Sequence, residues 1–378
     1  MVTYSDLGVR PIINALGTVT SIGGSIMGDE VLQAMVEAGK SFVSIRELQE
    51  AAGAYISRRL GVDSAFICAG SASGMAIAAA ACIAGTNPQL RARLPDTEGI
   101  KNEIIMLKAM RFRFDQAFRI SGAKIVEVGW PDSVAPWEFE EAFSQKTVAV
   151  AYVVETARPG LMALDDLMRI SHAQGIPVIV DAAAEIPPRE NITHFFTRGA
   201  DLTIFSGGKD ICGPQSTGLI IGRNKLIEAC RFNSSPNFAI GRGMKVGKEE
   251  IMGFITALDL WLAQDFSREM EEWEEQVTTI IRCFSSTPGI FAKRVYPGEL
   301  GIQPIWIPRV QIEWIPQITK QSPNEIKMLL LDGEPRVAVG SNEKGIVINP
   351  QMLRFDQDRI VAECIKSVIL GGDDHLNE

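Results

Sequence analysis

Apolar and polar positions alternate in blocks along residues 30–225, and the blocks predict strands separated by helices. Short apolar runs, which are typical of strands buried on both faces, occur at residues 65–68, 103–108, 124–128, 148–154, 177–181, 202–205 and 219–221. Apolar residues at helical spacing predict helices at residues 29–41, 46–60, 74–85, 137–143 and 164–173. This order predicts an α/β fold whose doubly wound, mostly parallel sheet is covered by helices on both faces.

The pattern changes after residue 247, where strands become sparse. A long stretch with helical spacing at residues 248–275 is typical of a helix that links a large domain to a small one. Beyond it, the sequence predicts short strands and a last helix, at residues 310–314, 337–339, 346–348 and 357–370. We therefore predict an N-terminal segment at residues 1–29, a large domain at 30–247, and a linking helix with a small α+β domain at 248–378.

Charge and composition exclude several classes of protein. The 378 residues carry a formal net charge of −9, which argues against a nucleic-acid partner. The longest apolar stretch, residues 75–84, is too short to span a bilayer, and the N-terminus lacks the order of a signal peptide. The 6 cysteines form no CxxC pair, which favours reduced thiols. We expect a cytoplasmic protein that binds neither nucleic acid nor membrane.

The strongest chemical signal lies in residues 201–221, DLTIFSGGKDICGPQSTGLII. Lys209 follows an apolar run that ends in Ser206 and two glycines, and a second apolar run comes soon after. Backbone on both sides would hold such a lysine and desolvate it enough to lower its pKa, which suits a lysine that forms a Schiff base. An exposed lysine in a surface turn is the alternative. The chain has only 3 histidines, so proton transfer at neutral pH falls to a group such as Lys209.

Asp181 ends the apolar run PVIVD, about one helix-and-strand unit before Lys209. A carboxylate in this position often caps the next helix. Here three alanines follow, including Ala183, and they are small enough for a flat ring to lie against them. A carboxylate that keeps a pyridinium nitrogen protonated and a lysine that carries the aldehyde are what a pyridoxal phosphate site requires. We therefore predict that Asp181, Ala183 and Lys209 contact this cofactor.

Small residues between a predicted strand and helix form a candidate phosphate site. The segment CAGSASG contains Gly70, Ser71, Ala72 and Ser73. Small residues let the backbone approach an anion, and a helix N-terminus presents free N–H groups. A tight turn without a ligand is the alternative. Ser206 is placed to donate a further hydrogen bond to a phosphate oxygen.

Four arginines are candidates for binding an anionic substrate. Arg111, Arg113 and Arg119 lie in AMRFRFDQAFRI after a predicted strand, and Arg242 lies in GRGMK before the long helical stretch. Guanidinium groups bind carboxylate and phosphate with two hydrogen bonds. For the first three, a solvated face with packed phenylalanines is the alternative.

Several of these segments resemble the fold-type-I pyridoxal phosphate enzymes of the selenocysteine synthase (seryl-tRNA selenium transferase) superfamily. The segments are GVRPIINALGTVT, FRISGAKIVEVG, GADLTIFSGGKDICGPQSTGLIIG and GRGMKVGKEEIMGF. Within the superfamily, the GGS at residues 23–25 and the GRGMKVGKEE run are most similar to the D-glucosaminate-6-phosphate ammonia-lyase branch. Members that act on tRNA carry an additional N-terminal domain before the first segment. Here that segment begins at residue 8, so we expect the RNA-binding part to be absent.

The resemblance implies a cofactor, an assembly and a reaction. Pyridoxal 5'-phosphate would form a Schiff base with Lys209, with Asp181 at the pyridine nitrogen and Ser71, Ala72 and Ser206 around the phosphate. A homo-oligomer would draw active-site residues from two subunits. The implied reaction eliminates water and ammonia from a β-hydroxy α-amino acid, such as D-glucosaminate 6-phosphate or a related anionic amino sugar acid, and gives a 2-oxo acid. Aldol cleavage, racemisation or β-replacement on a small amino acid, and tRNA modification, stay open as alternatives.

Overall fold

The computed structural model describes residues 2–154, 161–296 and 304–371. Its strands are Ile12–Ala15 (β1), Ser64–Cys68 (β2), Glu103–Leu107 (β3), Lys124–Val128 (β4), Thr147–Val153 (β5), Val178–Asp181 (β6), Leu202–Ser206 (β7), Gly218–Gly222 (β8), Ile290–Val295 (β9), Arg309–Trp314 (β10), Arg336–Asn342 (β11) and Gly345–Ile348 (β12). Its α-helices are Asp29–Gly39 (α1), Ile45–Leu60 (α2), Gly70–Ala84 (α3), Pro88–Arg93 (α4), Gln116–Ile120 (α5), Pro136–Glu141 (α6), Leu164–Ala173 (α7), Asn191–Thr197 (α8), Asn224–Asn233 (α9), Lys248–Ala263 (α10), Phe266–Phe284 (α11), Pro323–Asp332 (α12) and Gln357–Leu370 (α13).

Seven strands form the larger of two sheets, in the order β2-β8-β7-β6-β5-β3-β4. The pairs from β7 through β6, β5 and β3 to β4 are parallel, whereas β8 runs antiparallel to both of its neighbours. Each strand matches a predicted apolar run, and most of their side chains are buried. The predicted mostly parallel α/β sheet is therefore confirmed.

The described chain divides into two compact units, Met27–Ala263 and a discontinuous unit made of Met1–Ile26 and Gln264–Glu378. The first boundary lies close to the predicted one at residue 29. The second lies after Ala263 rather than after residue 247, because α10 packs against α1 and α2 of the larger unit.

The single helix predicted at residues 248–275 is wrong. Two helices, α10 and α11, occupy this stretch and its continuation. Asp265 separates them, because its side chain accepts hydrogen bonds from the backbone N–H groups of Ser267 at 3.0 Å and Arg268 at 3.4 Å. Such a side chain satisfies donors that have no partner inside a helix, so a new helix begins at Phe266.

The smaller unit contains a mixed five-stranded sheet in the order β1-β11-β12-β10-β9. β1 pairs in parallel with β11, and the other pairs are antiparallel. Helices α11, α12 and α13 contribute apolar side chains to the same buried cluster as the sheet. Over the described ranges, no helix combines the length and hydrophobicity needed to cross a membrane.

Helix α2 closes the open side of β2, which is an edge strand of the seven-stranded sheet. Gln49 Nε2 donates to the Ile67 carbonyl at 3.1 Å, and Arg231 Nη2 donates to the Ala65 carbonyl at 3.2 Å. A Cβ atom on Gly53 would lie only 2.4 Å from the Ala65 oxygen. The absence of a side chain at Gly53 therefore lets α2 approach the edge strand that leads into α3.

Gly53→Ala is expected to lower the free energy of unfolding by about 1–3 kcal/mol, because the added methyl group overpacks the contact between α2 and β2. Urea unfolding of the parent and the variant measures the change. Gly39→Ala is the matched control, since a Cβ at this helix residue would meet only the Glu249 side chain, at 3.9 Å. The control is expected to be neutral or to gain up to about 1 kcal/mol. Equal effects of the two substitutions would contradict the role assigned to Gly53.

Candidate active site

The predicted cofactor residues lie together at the carboxyl ends of the parallel strands in the seven-stranded sheet. Gly218, at the start of β8, pairs with Cys68 at the end of β2 and with Ser206 at the end of β7. On the next strand, Asp181 pairs with Ile204 of β7. This register brings Asp181, the first turn of α3 and the loop that carries Lys209 to the carboxyl ends of the parallel strands. Open α/β sheets bind their ligands at such an edge.

Backbone hydrogen bonds fix the loop between β7 and β8. Gly207 N donates to Thr217 O, Gly213 N donates to Gly207 O, and Cys212 N donates to Lys209 O, each at 2.9 Å. The glycines before Lys209 permit tight packing, because a Cβ on Gly207 would lie 2.3 Å from Thr217 Oγ1. The loop therefore holds Lys209 in a defined position.

The environment of Lys209 favours its neutral amine. The side chain is half-buried, and desolvation lowers the pKa of its ammonium group. The negative charges of Asp181 and Glu185 act in the opposite direction and raise this pKa, but burial is the larger effect. A lysine in this state can both accept a proton and act as a nucleophile.

Asp181 is a buried carboxylic acid with few polar contacts. It is 6% exposed, and its Oδ1 accepts a hydrogen bond from Ala183 N at 3.1 Å. Burial raises the pKa of Asp181 to about 6, although the Ala183 N–H and the charge of Lys209 lower it. No other hydrogen bond reaches this carboxylate from the residues that the structure describes. A cationic N–H group beside it would stabilise its ionised form, and the protonated nitrogen of a pyridine ring is such a group.

The N-terminus of α3 fits a phosphate group. The helix begins at Gly70 rather than at the predicted residue 74, so the predicted phosphate loop is its first turn. The N-cap residue Ala69 makes no side-chain cap, and a Cβ on Gly70, whose φ is +81°, would meet no atom of the described ranges within 4 Å. Ser73 is 8% exposed, and its buried hydroxyl oxygen has no hydrogen-bond partner among the described residues. Unpaired N–H groups, open space and an unsatisfied hydroxyl are what an anion at a helix N-terminus uses.

The four predicted substrate arginines lie in different environments. Arg111 forms ion pairs with Asp115 and Glu127, and Arg119 Nη2 lies 3.6 Å from Asp115 Oδ1. Arg113 and Arg242 are exposed, and neither has an acidic partner in the described ranges. Asp115 of the same segment and Glu127 of β4 thus already balance the charges of Arg111 and Arg119. The substrate-binding role of all four arginines stays a prediction.

The structure adds residues to the site that the sequence did not suggest. Glu185 is 9% exposed, and its charge acts on Lys209. Asp210, next to Lys209, accepts a hydrogen bond from Trp261 Nε1 at 2.8 Å. Glu185 could have been predicted, because it is a carboxylate in the same short segment as Asp181. Trp261 lies on α10, far away in the sequence, and only the fold brings it to this loop.

Comparison with known proteins agrees with this geometry. The aminotransferase class-V family matches residues 106–241. D-glucosaminate-6-phosphate ammonia lyase of Salmonella typhimurium is 33% identical over 82% of this chain and 82% of its own length. A 5'-C-glycyluridine monooxygenase-decarboxylase of a Streptomyces species is 35% identical over 77% of this chain and 73% of its own.

Structural and more distant matches point to the same group. A solved structure of D-glucosaminate-6-phosphate ammonia-lyase superposes with a TM-score of 0.85 and 28% identity, covering 99% of this chain and 100% of that one. An L-seryl-tRNA(Sec) selenium transferase of Solidesulfovibrio magneticus is 24% identical over 93% of this chain and 81% of its own. The fold type and the resemblance inferred from the sequence are confirmed.

Asp181→Asn is expected to stabilise the cofactor-free protein at pH 7 by up to ~3 kcal/mol, because a pKa raised from 3.8 to about 6 marks a cost of ionising the buried group. At a pH between 3.8 and about 6, the folded protein binds more protons at this position than the unfolded chain does. Its stability therefore falls as the pH rises from about 4 to 6, and the cost persists above this range. Urea unfolding of the cofactor-free parent and variant at several pH values measures the slope.

Asp132→Asn, at an exposed position, is the control for this measurement and is expected to leave the slope unchanged. A parent and an Asp181→Asn variant with the same pH dependence would show that burial of Asp181 costs no stability.

Proposed function

Because this chain belongs to the family of fold-type-I pyridoxal phosphate enzymes that includes D-glucosaminate-6-phosphate ammonia lyase, we propose that it eliminates water and ammonia from a β-hydroxy α-amino acid. The proposed substrate is D-glucosaminate 6-phosphate or a related anionic amino sugar acid, and the product is a 2-oxo acid. The observation that carries the proposal is the meeting of buried Asp181 and pKa-lowered Lys209 beside the open N-terminus of α3.

Pyridoxal 5'-phosphate supplies a ring that withdraws electrons from Cα of a bound amino acid. In the proposal, the Asp181 carboxylate would accept a hydrogen bond from the ring N–H and so keep the nitrogen protonated, and Ala183 would contact the ring. The first turn of α3, with Gly70, Ser71, Ala72 and Ser73, would hold the phosphate through its N–H groups, and the Ser206 hydroxyl would add a further donor.

Lys209 carries the proton transfers of the proposed reaction. Desolvation lowers the pKa of its ammonium group and so favours the neutral amine, which removes the Cα proton in the proposal. The resulting ammonium gives a proton to the departing β-hydroxyl, which leaves as water. The enamine product tautomerises to an imine, and one water molecule hydrolyses this imine to the 2-oxo acid and ammonia, so the net change is the loss of ammonia. The exposed Arg113 and Arg242 are further candidates for contacts with the substrate anion. We also expect a homo-oligomer in which subunits share active-site residues.

A second candidate function is oxidative decarboxylation of an amino acid. The relative that is 35% identical to this chain is a 5'-C-glycyluridine monooxygenase-decarboxylase. Its sequence identity to this chain is similar to the 33% of the lyase. Relatives of similar sequence therefore carry names for different reactions. Identification of the product distinguishes elimination from oxidative decarboxylation for this chain.

Lys209→Ala is expected to reduce ammonia release from D-glucosaminate 6-phosphate by a factor of ~10² or more, because the variant lacks the group that moves the Cα proton. Ammonia and 2-oxo acid are measured together over time, and the two are expected in equal amounts with the parent enzyme. Lys225→Ala, an exposed lysine on α9, is the control and is expected to retain full activity. Full activity of the Lys209 variant would refute the assignment.

Oxygen uptake and carbon dioxide release distinguish the two candidate reactions. The proposed lyase is expected to consume no oxygen and to release ammonia at the same rate in air and under nitrogen, because elimination changes no overall oxidation state. Oxygen-dependent turnover with carbon dioxide as a product would favour the second candidate. An aldehyde product without ammonia would instead indicate an aldolase.

A further inference from the structure

The thiol of Cys68 contacts the first residue of the candidate phosphate site. Cys68 is the last residue of β2, and it is only 1% exposed. Its Sγ donates a hydrogen bond to the carbonyl oxygen of Gly70 at 3.3 Å. Gly70 is the first residue of α3, so this hydrogen bond joins the end of the strand to the first turn of the helix.

Two glycines leave space for the sulfur atom. A Cβ atom on Gly74 of α3 would lie 3.1 Å from Cys68 Sγ, and a Cβ atom on Gly218 of β8 would lie 3.0 Å from it. The sulfur is therefore packed between the helix and the neighbouring strand. Burial also raises the pKa of the Cys68 thiol to about 12, so the thiol keeps its proton at neutral pH and stays a hydrogen-bond donor.

The carbonyl that accepts this hydrogen bond belongs to the peptide group that also carries the N–H of Ser71. Because a peptide group is planar, a contact that fixes the Gly70 oxygen also fixes the direction of the Ser71 N–H. The N–H groups of a first helical turn have no partner inside the helix and are free to bind a ligand. Gly70 has a φ of +81°, and a glycine backbone has more conformational freedom than any other. The hydrogen bond from Cys68 restricts this freedom.

Ser73 is independent support for an anion at this turn. It is 8% exposed, and its buried hydroxyl oxygen has no hydrogen-bond partner among the described residues. A buried hydroxyl without a partner costs free energy, and a phosphate oxygen would accept its hydrogen bond. The contact from Cys68 therefore ends at a turn with a second feature of an anion site.

We propose that Cys68 is a positioning residue for the cofactor phosphate, because its thiol orients the peptide group whose Ser71 N–H donates to that phosphate. This inference rests on the proposed function, in which the phosphate of pyridoxal 5'-phosphate lies at the first turn of α3. It adds a residue that acts through the backbone and sets how tightly the phosphate is held.

Titration of the full chain, freed of cofactor, with pyridoxal 5'-phosphate and with pyridoxal tests this role. The two compounds share a ring and an aldehyde and differ in the phosphate, and the visible absorbance of the bound compound measures each affinity. Cys68→Ala loses the donor. It is expected to bind pyridoxal 5'-phosphate about 3- to 10-fold more weakly, the range for one neutral hydrogen bond, and pyridoxal as tightly as the parent. Cys68→Ser keeps a donor and is expected to recover most of the lost affinity.

Cys230→Ala is the matched control, since Cys230 is a buried thiol of the same apolar cluster. It is expected to leave both affinities unchanged, even where its thermal midpoint falls. Two results would overturn the proposal. One is an equal loss of affinity for both compounds in Cys68→Ala, and the other is a loss in Cys68→Ser as large as that in Cys68→Ala. Either would mean that the sulfur only fills space.

Ser73→Ala separates failure of this inference from failure of the proposed phosphate site. With the phosphate at the first turn of α3, Ser73→Ala is expected to weaken the binding of pyridoxal 5'-phosphate and to spare that of pyridoxal. This result together with an unchanged Cys68→Ala overturns the role of Cys68 alone. Unchanged affinities in both variants overturn the placement of the phosphate at α3, and the role of Cys68 with it.

Discussion

The burial of two opposite charges at the end of a parallel sheet is the constraint on which the site depends. Asp181 and Lys209 are both desolvated, and desolvation raises the pKa of the acid and lowers the pKa of the base. Each charge partly offsets the cost of the other, so neither environment is independent. A fold that keeps both groups at the same strand ends therefore keeps one acid that can hold a ring nitrogen and one amine that can move a proton.

Close backbone packing maintains this arrangement from both sides. Gly207 and Gly208 admit the lysine loop against the segment that returns to β8, and Gly218 allows β8 to approach the first turn of α3. Gly53 likewise allows α2 to approach β2, the edge strand that leads into α3. Each of these glycines sets a distance between elements that carry the candidate site residues. Larger side chains there would move the groups apart without changing their chemistry.

The parts of this site that follow directly from local sequence patterns could be predicted. Strands of the large sheet are buried on both faces and therefore read as continuous apolar runs, and Asp181 and Lys209 follow such runs directly. Strands β1 and β9 were not predicted, because β1 is short and β9 alternates buried and exposed residues, and each depends on a distant partner strand. The break at Asp265 was hidden by polar residues at helical spacing. Trp261 and Arg189 lie far apart in the sequence, and only the fold brings them into contact.

The scaffold alone does not determine which reaction is catalysed. Two relatives with different named activities are 33% and 35% identical to this chain, so overall sequence identity does not distinguish the two reactions. The choice must come from side chains that orient the substrate above the ring, since the orientation of the bonds at Cα decides which of them breaks. In the proposed site, Asp181 and Lys209 would serve either chemistry, so a change of reaction would require changes in the side chains around them rather than in these two residues.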